Sequence, residues 1–176
     1  NVIARKNDKI VDEEIVNFTV DSTDPKISTI KPSSRKYTNG SEFYIKYSED
    51  NCKSLNLMIY SNIPASGGSF SCISGRNIEK HISANLNFYN NQEIEYQFII
   101  KDIANNTGES KKTKVKVDTT KPFINSFTNT TNGKRVTFIL NITELNFDEV
   151  NYIDHNEVRP TVKTLCSSLR NGICAS

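Results

Sequence analysis

The chain has 176 residues, 24% of them charged, with 36% hydrophobic residues and a formal net charge of +2. That balance is ordinary for a globular protein, and no Lys or Arg run interleaved with aromatics marks a nucleic-acid surface. No stretch approaches the roughly 20 apolar residues that span a bilayer, and no signal-peptide pattern is present.

Period-2 alternation runs through the chain, and no segment holds a helical period over three turns. A strand is predicted at 15–20, with Val16, Phe18 and Val20 facing inward. Further strands are predicted at 26–30, 42–48 and 54–60. Pro64 and Gly67-Gly68 mark a loop before a short strand at 69–73. Residues 78–89 fit either a strand or a helical turn. Strands at 93–101 and 111–117 flank a turn at Ala104–Gly108, with Thr113, Val115 and Val117 inward and the lysines between them outward. Strands at 123–127, 135–142, 149–154 and 161–166 follow. Short strands at this spacing, with turn chemistry between them, predict an all-β, antiparallel β-sandwich architecture.

The chain also repeats itself. Residues 1–25 and 98–122 align at an offset of 97 without a gap. Both end on one junction, Val20-Asp21-Ser22-Thr23-Asp24-Pro25 and Val117-Asp118-Thr119-Thr120-Lys121-Pro122. Thr38-Asn39-Gly40 and Thr131-Asn132-Gly133 form a second anchor, and Cys72 to Asn77 against Cys166 to Asn171 a third. A fixed period sets an array architecture. The predicted division is 1–23, the last strands of one module; 24–120, a complete module; and 121–176, the first strands of a third. Two readings of the third segment's missing strands stay open. The chain is a piece of a longer array, or residues 1–20 of one copy complete residues 121–176 of the next, giving a fibre by strand addition.

Cys52, Cys72, Cys166 and Cys174 lack the close pairs of a zinc site. Cys166 and Cys174 bracket the hairpin-turn signal Asn171-Gly172, across which a disulfide is easily formed. Cys52 then pairs with Cys72. This arrangement favours an oxidising, extracellular compartment. The bland alternative is that some are buried small hydrophobes.

The junction Val117-Asp118-Thr119-Thr120-Lys121-Pro122 and the segment Asp102-Ile103-Ala104-Asn105-Asn106-Thr107-Gly108 resemble those of prokaryotic Ig-like or fibronectin type III-like tandem repeats. In that family the Asp-x-Ala-x-Asn element lies between the last two strands. Asp102, Ala104 and Asn106 match it, whereas Arg5-Lys6-Asn7-Asp8 in the first copy does not. The segment Leu165 to Cys174 resembles cysteine-bearing modules of large archaeal surface proteins. The resemblance implies a structural or adhesive cell-surface protein: a stalk, S-layer component or filament subunit. The alternative is a carbohydrate- or protein-binding module of a larger surface receptor or enzyme.

Catalytic signals are weak. His81 and His155 stand alone, Ser66-Gly67-Gly68-Ser69 has no paired base, and no hydrolase, metalloprotease or phosphate-loop motif occurs. No enzyme and no cofactor are expected. Asp21, Asp24 and Asp118 offer hard oxygen ligands at the junctions, but Lys121 replaces Asp24 in the second, so no metal site is expected there. Strand termination accounts for these acids. Pro25 and Pro122 limit freedom at the junctions. Glycosylation sequons occur at Asn17, Asn39, Asn105, Asn129 and Asn141; Asn39, Asn105 and Asn129 are predicted in turns, Asn17 and Asn141 pointing outward from strands. The expected partners are neighbouring modules or further copies of the chain, N-linked glycans, and a surface protein or glycan ligand.

Overall fold

The computed structural model describes residues 2–15, 20–62, 66–133 and 135–175. Among them the chain is all-β, apart from one 3-10 turn at Asn87–Tyr89. Val16, Asn17, Phe18 and Pro64 lie outside the described residues.

The N-terminal strands β1 (Val2–Lys6) and β2 (Lys9–Glu14) form an antiparallel hairpin. Asn7 and Asp8 take φ of 50° and 62°, the double left-handed turn that matches the twist of a two-residue hairpin. Among the described residues this pair joins no other sheet. Val20 is 76% exposed, against the inward orientation predicted for it. It precedes an extended linker and packs in no strand.

The first unit comprises β3 (Lys26–Lys31), β4 (Tyr37–Thr38), β5 (Phe43–Glu49), β6 (Cys52–Tyr60), β7 (Ser66–Phe70), β8 (Gly75–Ile82), β9 (Glu93–Asp102), β10 (Thr107–Glu109) and β11 (Thr113–Val117). One sheet runs β3-β5-β8; the other runs β4-β11-β9-β6-β7, with β10 hairpinned onto β9. Their inward side chains meet in one core. Phe43, Ile45 and Tyr47 of β5 face Leu55, Leu57 and Ile59 of β6, Tyr96, Phe98 and Ile100 of β9, and Val115 and Val117 of β11. Each of these is at most 1% exposed. The period-2 pattern in the sequence is therefore the physical alternation between core and solvent. Fully burying one such side chain is worth about 1.5–3 kcal/mol, so two packed sheets stabilise what neither could alone.

Several boundaries differ from the sequence reading. Residues 78–89 are both alternatives in succession: β8 ends at Ile82 and the 3-10 turn follows. The strand predicted at 69–73 lies earlier, because the glycines at 67 and 68 pair with Met58 and Leu57 instead of forming a loop. A Cβ at Gly67 would sit 2.3 Å from the Leu57 carbonyl oxygen, so a bare backbone is what permits the pairing. Thr107 and Gly108, read as turn, belong to β10.

The second unit comprises β12 (Phe123–Asn132), β13 (Arg135–Thr143), β14 (Val150–Ile153), β15 (Val162–Cys166) and β16 (Ile173–Ala175). Its sheet β12-β13-β16 has the same order as β3-β5-β8, and β14-β15 corresponds to β6-β7. The core is correspondingly small: Leu140, Ile142 and Cys174 are buried, with Phe138, Phe147, Val150 and Leu165 half-covering them. Phe123, Ile124 and Phe127 of β12 stay exposed. Asn129 lies within β12 and not in a turn, as β12 runs on to Asn132.

Both disulfides form, Cys52–Cys72 and Cys166–Cys174, each with Cα atoms 5.9 Å apart. The second does not simply close a hairpin. Asn171 and Gly172 make the tight turn, with φ of 51° and 78°, between Arg170 and Ile173. However, β15 pairs with β14 and β16 with β13, so this bridge ties one sheet of the second unit to the other.

Candidate functional site

The chemistry-bearing groups gather where the chain enters each unit. At the first entrance, Asp21 Oδ1 accepts the Thr23 backbone N–H at 3.1 Å. Its Oδ2 accepts the side-chain amide of Asn51 at 2.9 Å. Asn51 sits in the β5–β6 turn, where Glu49 Oε1 accepts its backbone N–H at 2.7 Å. A linker carboxylate, a turn amide and a strand-end carboxylate thus form one relay.

The second entrance repeats it. Asp118 Oδ1 accepts the Thr120 N–H at 3.0 Å, and Oδ2 accepts the Asn146 amide at 2.6 Å. Glu144 Oε1 accepts the Asn146 N–H at 2.8 Å. Glu144 Oε2 is buried and has no hydrogen-bond partner. The predicted junction residues Asp21 and Asp118 are accordingly the centres of matching sites. Glu49, Asn51, Glu144 and Asn146 were missed. Their signal was available: Glu49-Asp50-Asn51 and Glu144-Leu145-Asn146 share a Glu-x-Asn pattern at corresponding places.

The Asp-x-Ala-x-Asn element completes the first site. Asp102 is fully buried and accepts the Asn106 backbone N–H at 2.8 Å and its side-chain amide at 2.7 Å. That same amide reaches the Asp21 carbonyl oxygen at 3.0 Å. Pro25 is buried beneath, its carbonyl so close to Gly108 that a Cβ there would lie 2.0 Å from the oxygen. Pro122, in contrast, is exposed.

Asp21, Glu49 and Asp102 bring three carboxylates within 4.8 Å of one another. Glu49 and Asp102 are buried, and among the described residues no Lys or Arg forms an ion pair with any of the three. An all-oxygen donor set of this kind could hold a hard cation such as calcium. Asp24, whose replacement by Lys121 argued against a junction ion, is exposed and stands outside this cluster. The Asn51 amide and then the Thr23 N–H stabilise the charged Asp21 and hold its carboxyl below the usual range, against a smaller opposing effect of desolvation.

A cleft of about 1200 Å³ lies between the units, lined by Tyr37, Tyr44 and His81 on one side and by Glu144, Asn146 and Phe147 on the other. The Tyr44 and His81 rings lie 5.2 Å apart, tilted at 60°, and the Lys31 ammonium sits 5.5 Å from the Tyr44 ring centre. His155 lies far along the sequence in an exposed turn. The Ser66-Gly67-Gly68-Ser69 stretch is part of strand β7, in which Ser69 pairs across to Asn56.

The sequons Asn39, Asn105, Asn129 and Asn141 are all exposed. Asn39 accepts the Ser41 N–H and hydroxyl, Asn105 accepts the Lys53 ammonium, and Asn141 accepts the Asn125 amide. These three are engaged through the amide oxygen, not the nitrogen to which a glycan attaches.

No family model matches the chain, and neither a curated protein nor a solved structure matches it. No helix among the described residues is long and apolar enough to cross a membrane.

Proposed function

We propose that this chain is part of an extracellular tandem array of Ig-like β-sandwich modules with a structural or adhesive role at the cell surface. The observation that carries the reading is the recurrence of one entrance site, Asp21-Asn51-Glu49 and Asp118-Asn146-Glu144, at two junctions of the same chain. A single binding or catalytic centre has no need of a duplicate at each entrance, whereas an array needs the same joint every time. The two disulfides fit an oxidising, non-cytoplasmic environment. They also brace each unit against mechanical unfolding.

A second reading is a glycan- or protein-binding module, and the cleft that holds Tyr37, Tyr44 and His81 favours it. Aromatic faces beside carboxylates are suited to polar, ring-shaped ligands.

Intact cells that make the protein, treated with a membrane-impermeant amine reagent, separate the array from an internal protein. Labelling before lysis, with all four cysteines bridged in non-reducing peptide maps, is the expected result. Labelling only after lysis, with four free thiols, would overturn the reading.

A further inference from the structure

The linker between the two units is held from both sides. Its first residue, Asp118, donates its backbone N–H to the Thr38 carbonyl at 3.0 Å. Thr119 donates its N–H to Asn90 Oδ1 at 2.9 Å, and Thr120 donates its own to Asp118 Oδ1 at 3.0 Å. Every backbone N–H from 118 to 120 therefore has a fixed acceptor, leaving the linker few alternative conformations to sample. The side chains add to this. The Asn90 amide donates to Thr120 Oγ1 at 3.1 Å. From the opposite side, the Asn146 amide donates to Asp118 Oδ2 at 2.6 Å.

Asn90 and Asn146 come from different units. Asn90 follows the 3-10 turn of the first, and its backbone N–H is held by the Asn87 carbonyl. Asn146 lies between β13 and β14 of the second, its N–H pinned by Glu144. Both amides are thus set in place by their own unit before Asn90 reaches Thr119 and Thr120 and Asn146 reaches Asp118.

We propose that Asn90 and Asn146 are orienting residues that fix the second unit on the first, making this joint stiff. Flexible joints between modules carry Gly or Ser runs with free backbone groups. This one has no glycine from 118 to 122, and ends on Pro122. The first entrance carries the Asn146 half of the arrangement as Asn51 on Asp21, so that half belongs to the repeat and not to one junction. The stiffness of this joint does not depend on whether the array is displayed on a cell.

The test uses the full chain, isotopically labelled, with residual dipolar couplings measured for both units in a weakly aligning medium. The wild type is expected to fit one alignment tensor across 24–175. The Asn90→Ala/Asn146→Ala double variant is expected to lose that common tensor, with the second unit aligning separately. Amide shifts remote from the linker report that both units stay folded. Asn125→Ala serves as the control, since Asn125 bonds to Asn141 and Thr143 away from the joint; it is expected to keep one tensor. Separate tensors in the wild type, or one shared tensor in the double variant, would overturn the proposal. Should the double variant fail to fold, each single variant is read in the same way.

Discussion

Asn146 donates a 2.6 Å hydrogen bond from its side-chain amide to Oδ2 of Asp118, and Asn51 makes the same bond to Asp21 at 2.9 Å. A neutral amide presented to a carboxylate stabilises its charge, and a charge-assisted hydrogen bond of this kind is roughly twice as strong as a neutral one. The first entrance thereby depends on the ionisation of Asp21.

That dependence has a sign. Asp21 has a folded pKa lowered chiefly by Asn51, then by the Thr23 N–H. A depressed folded value means the contribution is full above the ordinary carboxylate pKa and lost as pH falls through the depressed one. The Thr23 amide resonance, followed in a pH titration, should shift with a midpoint below the usual aspartate range. In Asn51→Ala the midpoint should move up toward that range.

Gly108 and Gly133 separate steric from conformational cost. A Cβ at Gly108 would meet the Pro25 carbonyl at 2.0 Å, whereas Gly133, at φ of 61°, has nothing within 4 Å. Gly108→Ala should destabilise the first unit by about 3 kcal/mol, the upper end for overpacking, because a buried backbone must move. Gly133→Ala should cost only about 1 kcal/mol, from the left-handed backbone alone. Urea unfolding of the two variants would give the ratio; equal costs would contradict the close approach of Pro25.

The two bridges close loops of different length, with sequence separations of 20 for Cys52–Cys72 and 8 for Cys166–Cys174. On the chain-entropy model the longer loop contributes about 3.3 kcal/mol and the shorter about 2.6 kcal/mol. Replacing each pair by alanine and measuring unfolding in urea should show both losses. The first should appear in the large core around Phe98, the second in the smaller one around Leu140, since the bridges lie in different units.

The alternating strands of the first unit could be read from the sequence because both sheets bury one face, so Phe43, Ile45 and Tyr47 or Thr113, Val115 and Val117 carry the period plainly. Val20 could not, since an inward-facing pattern is not a packing partner, and the linker gives it none. The glycines at 67 and 68 misled for a related reason: they mark close backbone pairing with β6, which looks identical to a loop in composition. At the junctions, Asp21 and Asp118 were visible through the repeat. Glu49, Asn51 and Asn146 left a trace in the repeated Glu-x-Asn pattern, but their role, like that of Asn90, arises from contacts between elements distant in the chain. The parallel pairing of β4 with β11 was hidden likewise, two residues being too few to show a period.

Electron microscopy of the native protein purified from its source decides whether such modules form an array. Linear particles are expected, in which similar modules follow one another at a regular spacing and a repeated angle, as joints of one design require. Compact single particles without repeating modules, or chains whose neighbouring modules take random angles, would contradict the array.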